Sequence, residues 1–201
     1  MKKIYNIISL VFQPLLMPTY GMLLLTNMDV FQTLTLAWRI MAVVGTLLFT
    51  GILPATPILL MIRKGEVHDL FISRREERTV PYIFSFLAYL FWAFFIYRIL
   101  QLPFFMVAMS IGAAVSILAI TLINLKWKIS AHLAGIGALT GGLFGICYRM
   151  AINPIPLIIG ILFISALVAI SRIELKAHTP LQTLAGFVVG FLTVFLPCIL
   201  F

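Results

Sequence analysis

Apolar residues run through this chain in blocks of about twenty, separated by short polar stretches. The blocks cover roughly 5–26, 38–62, 80–100, 103–125, 131–149, 154–170 and 180–200. A run of that length crosses a bilayer as a helix, and backbone in hydrocarbon must satisfy its own hydrogen bonds as helix or closed barrel. No strand-like alternation is present, which excludes the barrel. The first block differs from the rest, because Gln13, Pro14 and Pro18 interrupt it near its middle and proline removes a helix hydrogen bond. The pattern predicts an all-α integral membrane protein. Its core is a six-helix transmembrane bundle plus a proline-broken N-terminal hydrophobic segment, six or seven spans in all.

Composition agrees with that class. Of 201 residues 63% are hydrophobic and 10% charged, against about 25% charged in a soluble domain, and the mean hydropathy is +1.16. The chain reads as one polytopic domain over 1–201 with no soluble appendage. Met1-Lys2-Lys3 leads into an apolar stretch without a small-residue cleavage pattern, so no cleavable signal peptide is expected. Cys147 and Cys198 lie inside apolar blocks and read as buried hydrophobes rather than a disulfide or metal site. Gly137, Gly141 and Gly145, like Gly186 and Gly190, recur at four-residue spacing, which suits close helix packing. Trp127 between Lys126 and Lys128 reads as an interfacial belt residue.

The charges are concentrated. All Lys and Arg except Arg39, Arg98 and Arg149 fall at the N-terminus or in three connections, 63–79, 126–132 and 171–178. Glu66, Asp69, Glu76, Glu77 and Glu174 fall there too. One helical hairpin separates the first connection from the second, and another separates the second from the third. All three connections are therefore expected on one face of the membrane, whether or not the first block spans.

Their chemistry is that of an anion site. The third connection carries Arg172 and, after five residues, His178. The second reads Lys126-Trp127-Lys128-Ile129-Ser130-Ala131-His132 and opens a Gly-rich helix, whose start offers free N–H groups to an anion. The first carries Arg74, Arg75 and Arg78 just before Pro81. Several cations and two histidines are the parts of phosphoryl transfer without a metal: charges for the equatorial oxygens, one histidine as nucleophile and another as acid. The competing reading of Arg74, Arg75 and Arg78 with Glu76 and Glu77 is a solvated, self-paired run. His68 and Asp69 read as loop residues.

Ser171-Arg172, five residues, His178, then Gln182 and Ala185-Gly186 resemble the third signature of the type-2 phosphatidic acid phosphatase superfamily, SRxxxxxHxxxD. Ser130-Ala131-His132 resembles its second, PSGH, and Arg75 to Pro81 loosely resembles its first, KxxxxxxRP. The resemblance covers roughly 64–190. It implies His178 as nucleophile, His132 as proton donor to the leaving alcohol, and Arg172 with Ser130 or its neighbouring backbone N–H as holders of the phosphate. Arg75 and Arg78 would replace the first signature's cations, and Lys128 joins them by proximity. The family's orienting Asp is Gln182 here. Gln accepts a hydrogen bond from imidazole but offers no charge to an imidazolium. Glu174, four residues before His178, would substitute if that turn is helical.

The expected function is metal-independent hydrolysis of a lipid phosphomonoester or pyrophosphate through a phosphohistidine. Its partners would be a lipid phosphate from the bilayer and the membrane itself, with no cofactor and no nucleic acid. The rivals are a non-catalytic lipid-phosphate-binding or transport protein and a membrane prenyltransferase. The latter needs paired Asp-rich motifs, and only Asp29 and Asp69 are present. The resemblance implies a bacterial inner membrane. If the broken first block is re-entrant, six spans put both termini in the cytoplasm and the site on the periplasmic side, the usual arrangement of the family in bacteria. If that block spans from a cytoplasmic N-terminus, the site is cytoplasmic, the side that counting Lys and Arg near span ends also favours.

Overall fold

The computed structural model describes residues 2–201 apart from Leu70, Ser73 and Pro103, and describes Val30 by its backbone alone. Met1, at the head of the Met1-Lys2-Lys3 stretch, lies outside the described residues. The structure is helical, with no strand among the described residues. In chain order the helices are α1 (Lys2–Val11), α2 (Met17–Thr26), α3 (Leu36–Thr46), α4 (Leu53–Arg63), α5 (Thr79–Arg98), α6 (Phe104–Asn124), α7 (Ala131–Arg149), α8 (Ile155–Glu174) and α9 (Pro180–Leu200). A π-helical stretch, Leu47–Ile52, joins α3 to α4, so the two make one long segment. Seven segments among the described residues are long and apolar enough to cross a membrane. The protein is an all-α membrane bundle.

The broken first block has a local cause. The residue before proline is driven to extended backbone, and Gln13 before Pro14 sits at φ −65, ψ 139. Helix α1 therefore stops at Val11. Pro18 falls at the start of α2, where a missing N–H costs nothing. The Tyr20 hydroxyl donates to the Val11 carbonyl at 2.8 Å. Nine residues of straight helix would hold those two positions about 13 Å apart along the axis, more than a tyrosine side chain spans, so the chain bends across the break. The ends of the break lie beside the start of α7: Pro14 and Met17 flank Gly135.

Helices α7 and α9 meet backbone to backbone. A Cβ on Gly137 would run into the Phe187 carbonyl oxygen, one on Gly141 into that of Phe191, one on Gly186 into that of Ser130, and one on Gly190 into that of Ala134. Residues four apart share a helix face, so the four glycines form two facing stripes. Gly112 brings α6 equally close to Thr193 of α9. The glycine spacing does serve packing.

The three polar connections converge as the span count requires. Arg75 reaches from the first to the Lys126 carbonyl of the second at 2.9 Å, and Arg78 to the Ile129 carbonyl at 3.0 Å. The Ser130 N–H donates to the Gln182 carbonyl at the start of α9 at 3.3 Å. Cys147 and Cys198 are free and buried.

Gly190→Ala is expected to cost about 1–3 kcal/mol, because the added methyl meets backbone that cannot rotate away. Gly160→Ala, where nothing lies within 4 Å of the new Cβ, should be neutral or stabilise by up to about 1 kcal/mol. Thermal melts of the two variants in detergent distinguish them; equal melting would contradict the close α7–α9 approach.

Candidate active site

Helix starts and ends at the polar face set out the site. Thr179 caps α9 by accepting from the Gln182 N–H, and the Gln182 side chain answers the Thr179 N–H, a capping box. That cap places His178 just ahead of α9. Ser130 caps α7, its Oγ accepting from the Leu133 N–H at 3.5 Å, and places His132 in the first turn. Arg172 lies in the last turn of α8, and Arg78 immediately precedes α5.

Arg78, Arg172, His132 and His178 line one cavity. Each is between 2% and 7% exposed, so two guanidinium groups and two imidazoles are held away from bulk water. Arg78 is fixed by main chain: its Nε donates to the Ile72 carbonyl at 2.8 Å and its Nη1 to that of Ile129. Asn124 supports it, with Oδ1 at 3.5 Å from Nη1 and Nδ2 donating to the Arg75 carbonyl at 3.0 Å. Arg172 stacks over Phe71 at 5.5 Å, a cation–π contact. Its Nε is buried and has no hydrogen-bond partner among the described residues.

The tautomer of His178 follows from geometry. Gln182 Oε1 takes the Thr179 N–H at 3.2 Å, which fixes the oxygen end of that amide toward the turn. The same oxygen faces His178 Nδ1 at 3.1 Å, so Nδ1 must carry the hydrogen and Nε2 the lone pair. Burial, with Arg78 next in weight, pushes the His178 imidazole down to about 3, against a smaller upward pull from the Gln182 hydrogen bond. The ring is thus a neutral base with Nε2 free to react. Lys128 is also lowered, first by burial and then by Arg78 and Arg172.

The remaining sequence candidates fall outside the cavity lining. Arg75 bonds Glu76 and the Lys126 carbonyl, and so ties two connections together. Lys128 is half-buried beside the cations. Ser130 is fully buried with its hydroxyl spent as a cap. Glu174 does not orient His178: α8 ends at that residue, and the chain then turns through Lys176 at φ 54. The helical turn that would have brought Glu174 to His178 is absent, and Gln182 makes the contact instead. Arg74 is exposed and paired with Glu77 at 3.7 Å, as in the self-paired reading. His68 bonds the same carboxylate at 2.6 Å.

Sequence reasoning missed three contributors. His132 Nε2 lies 3.1 Å from the Ser9 carbonyl; a carbonyl only accepts, so Nε2 carries a hydrogen and α1 becomes part of the site wall. Nothing in a sequence marks a main-chain carbonyl. Phe71, between Arg172 and the His132 ring at 6.0 Å, carried no motif. Asn124, a lone amide closing an apolar run just before Lys126, was a readable signal. Among the described residues no three His, Cys, Asp or Glu side chains group to hold a metal ion.

The free His178 ring should stay neutral to mildly acidic pH. Its folded pKa lies below the ordinary value, so the stability that its neutral form contributes is complete above about 6.5 and is lost as pH falls toward about 3. The Hε1 resonance of His178 is expected not to move between pH 8 and pH 5; a midpoint near 6.5 would show the ring to be solvated.

The arrangement of α7, α8 and α9 agrees with what comparison finds. The PAP2 superfamily model matches residues 124–200, which span the second and third motifs and leave the first outside. No curated protein and no solved structure matches the chain. The matched segment, with His132, Arg172 and His178 inside it, is similar to the PAP2 superfamily.

Proposed function

We propose that this protein hydrolyses a lipid phosphomonoester or pyrophosphate at the membrane surface without a metal ion. The PAP2 superfamily is in general one of phosphatases, and the observation that carries the finer reading is the buried Arg172 Nε, without a partner among the described residues, beside Arg78. Two desolvated guanidinium groups over one cavity favour a bound dianion.

The reaction follows from the proton positions. The Nε2 lone pair of His178 attacks phosphorus while the bond to the lipid oxygen breaks. The Nε2–H of His132 is held by the Ser9 carbonyl, so the proton it gives to that oxygen is one taken up at Nδ1 together with the anionic substrate; the leaving group departs as an alcohol, or as the lipid monophosphate when the substrate is a pyrophosphate. Arg78 and Arg172 hold the equatorial oxygens. Water then attacks phosphorus, the P–N bond breaks, and His132 recovers a proton from the water. Gln182 keeps Nδ1–H in place throughout but adds no charge, so the imidazolium is less stabilised than beside a carboxylate.

The same reading sets the protein in a bacterial cytoplasmic membrane with its site on the periplasmic side. Helix α9 starts at the site and runs 21 residues away from it, so the C-terminus would then be cytoplasmic. A periplasm-active reporter fused there should be silent; strong reporter activity would reverse the orientation.

Phosphate release from a panel of lipid phosphates is the direct test. His178→Ala is expected to lower the rate by about 10³-fold or more, and Arg172→Ala by about 10²–10³-fold. Chelator should leave the rate unchanged, and Gln182→Asp should raise it. Release that survives His178→Ala or stops with chelator would overturn the mechanism. Binding of lipid phosphate with no release would favour the non-catalytic reading.

A further inference from the structure

The cavity does not end at the phosphate-binding cations. Its wall continues down α5 through Tyr82, Ser85, Tyr89 and Trp92, positions spaced three and four apart on one helix face. From Arg78 to Trp92 is fourteen residues, roughly 20 Å along a helix, which is past the middle of a hydrocarbon core about 30 Å thick. Ala113 and Ser116 of α6 face it from the other side, and Met17 and Leu25 of the broken N-terminal segment close a third wall.

This lower part holds no charged side chain, and its polar groups are the hydroxyls of Tyr82, Tyr89, Ser110 and Ser116 beside three that are already bonded. The Ser85 hydroxyl donates to the Pro81 carbonyl at 2.8 Å. Thr46 and Thr50, which also line the cavity, donate to the carbonyls of Ala42 and Thr46, each at 2.7 Å. These hydroxyls are spent on their own helices and hold nothing out to a polar ligand. Charge is confined to the top, where Arg78, Arg172 and the two histidines sit. The centre of a water-sized sphere finds about 140 Å³ of room in it. Along a length of roughly 20 Å that is a bore about 6 Å wide once the sphere's own radius is added, enough for one hydrocarbon chain and not for two.

We infer that the lower cavity is a tail slot, and that the substrate is a phosphate or pyrophosphate on one long apolar chain threaded inside the bundle. A two-tailed glycerolipid would leave at least one chain without a place beside the headgroup. The inference rests on the lipid-phosphate reading of the upper site. The slot's chemistry accepts a straight alkyl chain or an isoprenoid one, and the assay separates them.

Two measurements test it. The first compares kcat/KM for octyl phosphate, hexadecyl phosphate, farnesyl phosphate and dioleoyl phosphatidic acid, using the full-length protein in detergent. Hexadecyl or farnesyl phosphate is expected to exceed both octyl phosphate and dioleoyl phosphatidic acid by at least about tenfold, the larger of the two naming the chain type. Ala113→Phe, which plugs the slot below its midpoint, should cut the hexadecyl-to-octyl ratio by at least about tenfold. Equal rates on one and two tails, or a ratio unmoved by Ala113→Phe, would overturn the slot.

The second measurement needs neither turnover nor a variant. A hexadecyl phosphate with a photoreactive diazirine near its tail end is crosslinked to the wild-type protein and the labelled residues are mapped. Labels are expected at Tyr89, Trp92 and Ala113; labels only at the outward-facing Leu87, Phe91 and Leu118 would overturn the inference. Interior labels without phosphate release would refute hydrolysis and keep the slot. Release with outward labels alone would do the reverse.

Discussion

Helices α7 and α9 approach until main chain touches main chain, and the site depends on that approach. The facing glycine stripes remove the Cβ at the four points of closest approach, so the two helix starts arrive together at the polar face. The Ser130 N–H can then bond the Gln182 carbonyl, which links the α7 cap to the first turn of α9. His132 and His178 each stand within two residues of one of those partners or four of the other, so their spacing is inherited from the seam. Hydrocarbon gives helices no hydrophobic reason to associate. Dispersion across so close a seam supplies one, and it also resists the small slides that would misalign the two rings.

Burial of charge is the second constraint. Two guanidinium groups in a cavity cost free energy unless they are held and partnered. Arg78 meets that cost through the carbonyls of Ile72 and Ile129 and through Asn124. Arg172 meets it partly through the Phe71 face. The difference between them separates an anchored cation from one with capacity left for a ligand. It also accounts for the state of His178: positive neighbours and dry surroundings both disfavour a second positive ring, and what remains is a neutral base.

Much of this was legible in the sequence, for identifiable reasons. The block at 131–149 coincides with α7 because Ser130 caps its start and Arg149 ends it. The convergence of the three connections followed from counting spans. His178, Arg172 and His132 stood out because polar groups at an apolar boundary demand partners. The rest turned on phase and main chain. Arg74, Arg75 and Arg78 form one charge run, yet only Arg78 points inward, since the start of α5 at Thr79 decides which side it takes. The block 38–62 looked like one plain helix, and the π-helical stretch at Leu47–Ile52 left no compositional trace. Gln182 was readable as an acceptor for His178. The turn at Lys176 that removes Glu174 from competition depends on a single φ value.

A single oxygen, Gln182 Oε1, receives both the Thr179 N–H and the His178 Nδ1–H. The first bond closes the opening turn of α9, and the second decides which ring nitrogen is basic. Because they share an acceptor, the winding of that turn and the position of a proton form one equilibrium rather than two. Anything that frays the α9 start, whether heat, a thinner bilayer or a lost cap, also frees the imidazole to change tautomer. Local helix order in this protein is thereby thermodynamically linked to the basicity of one nitrogen atom.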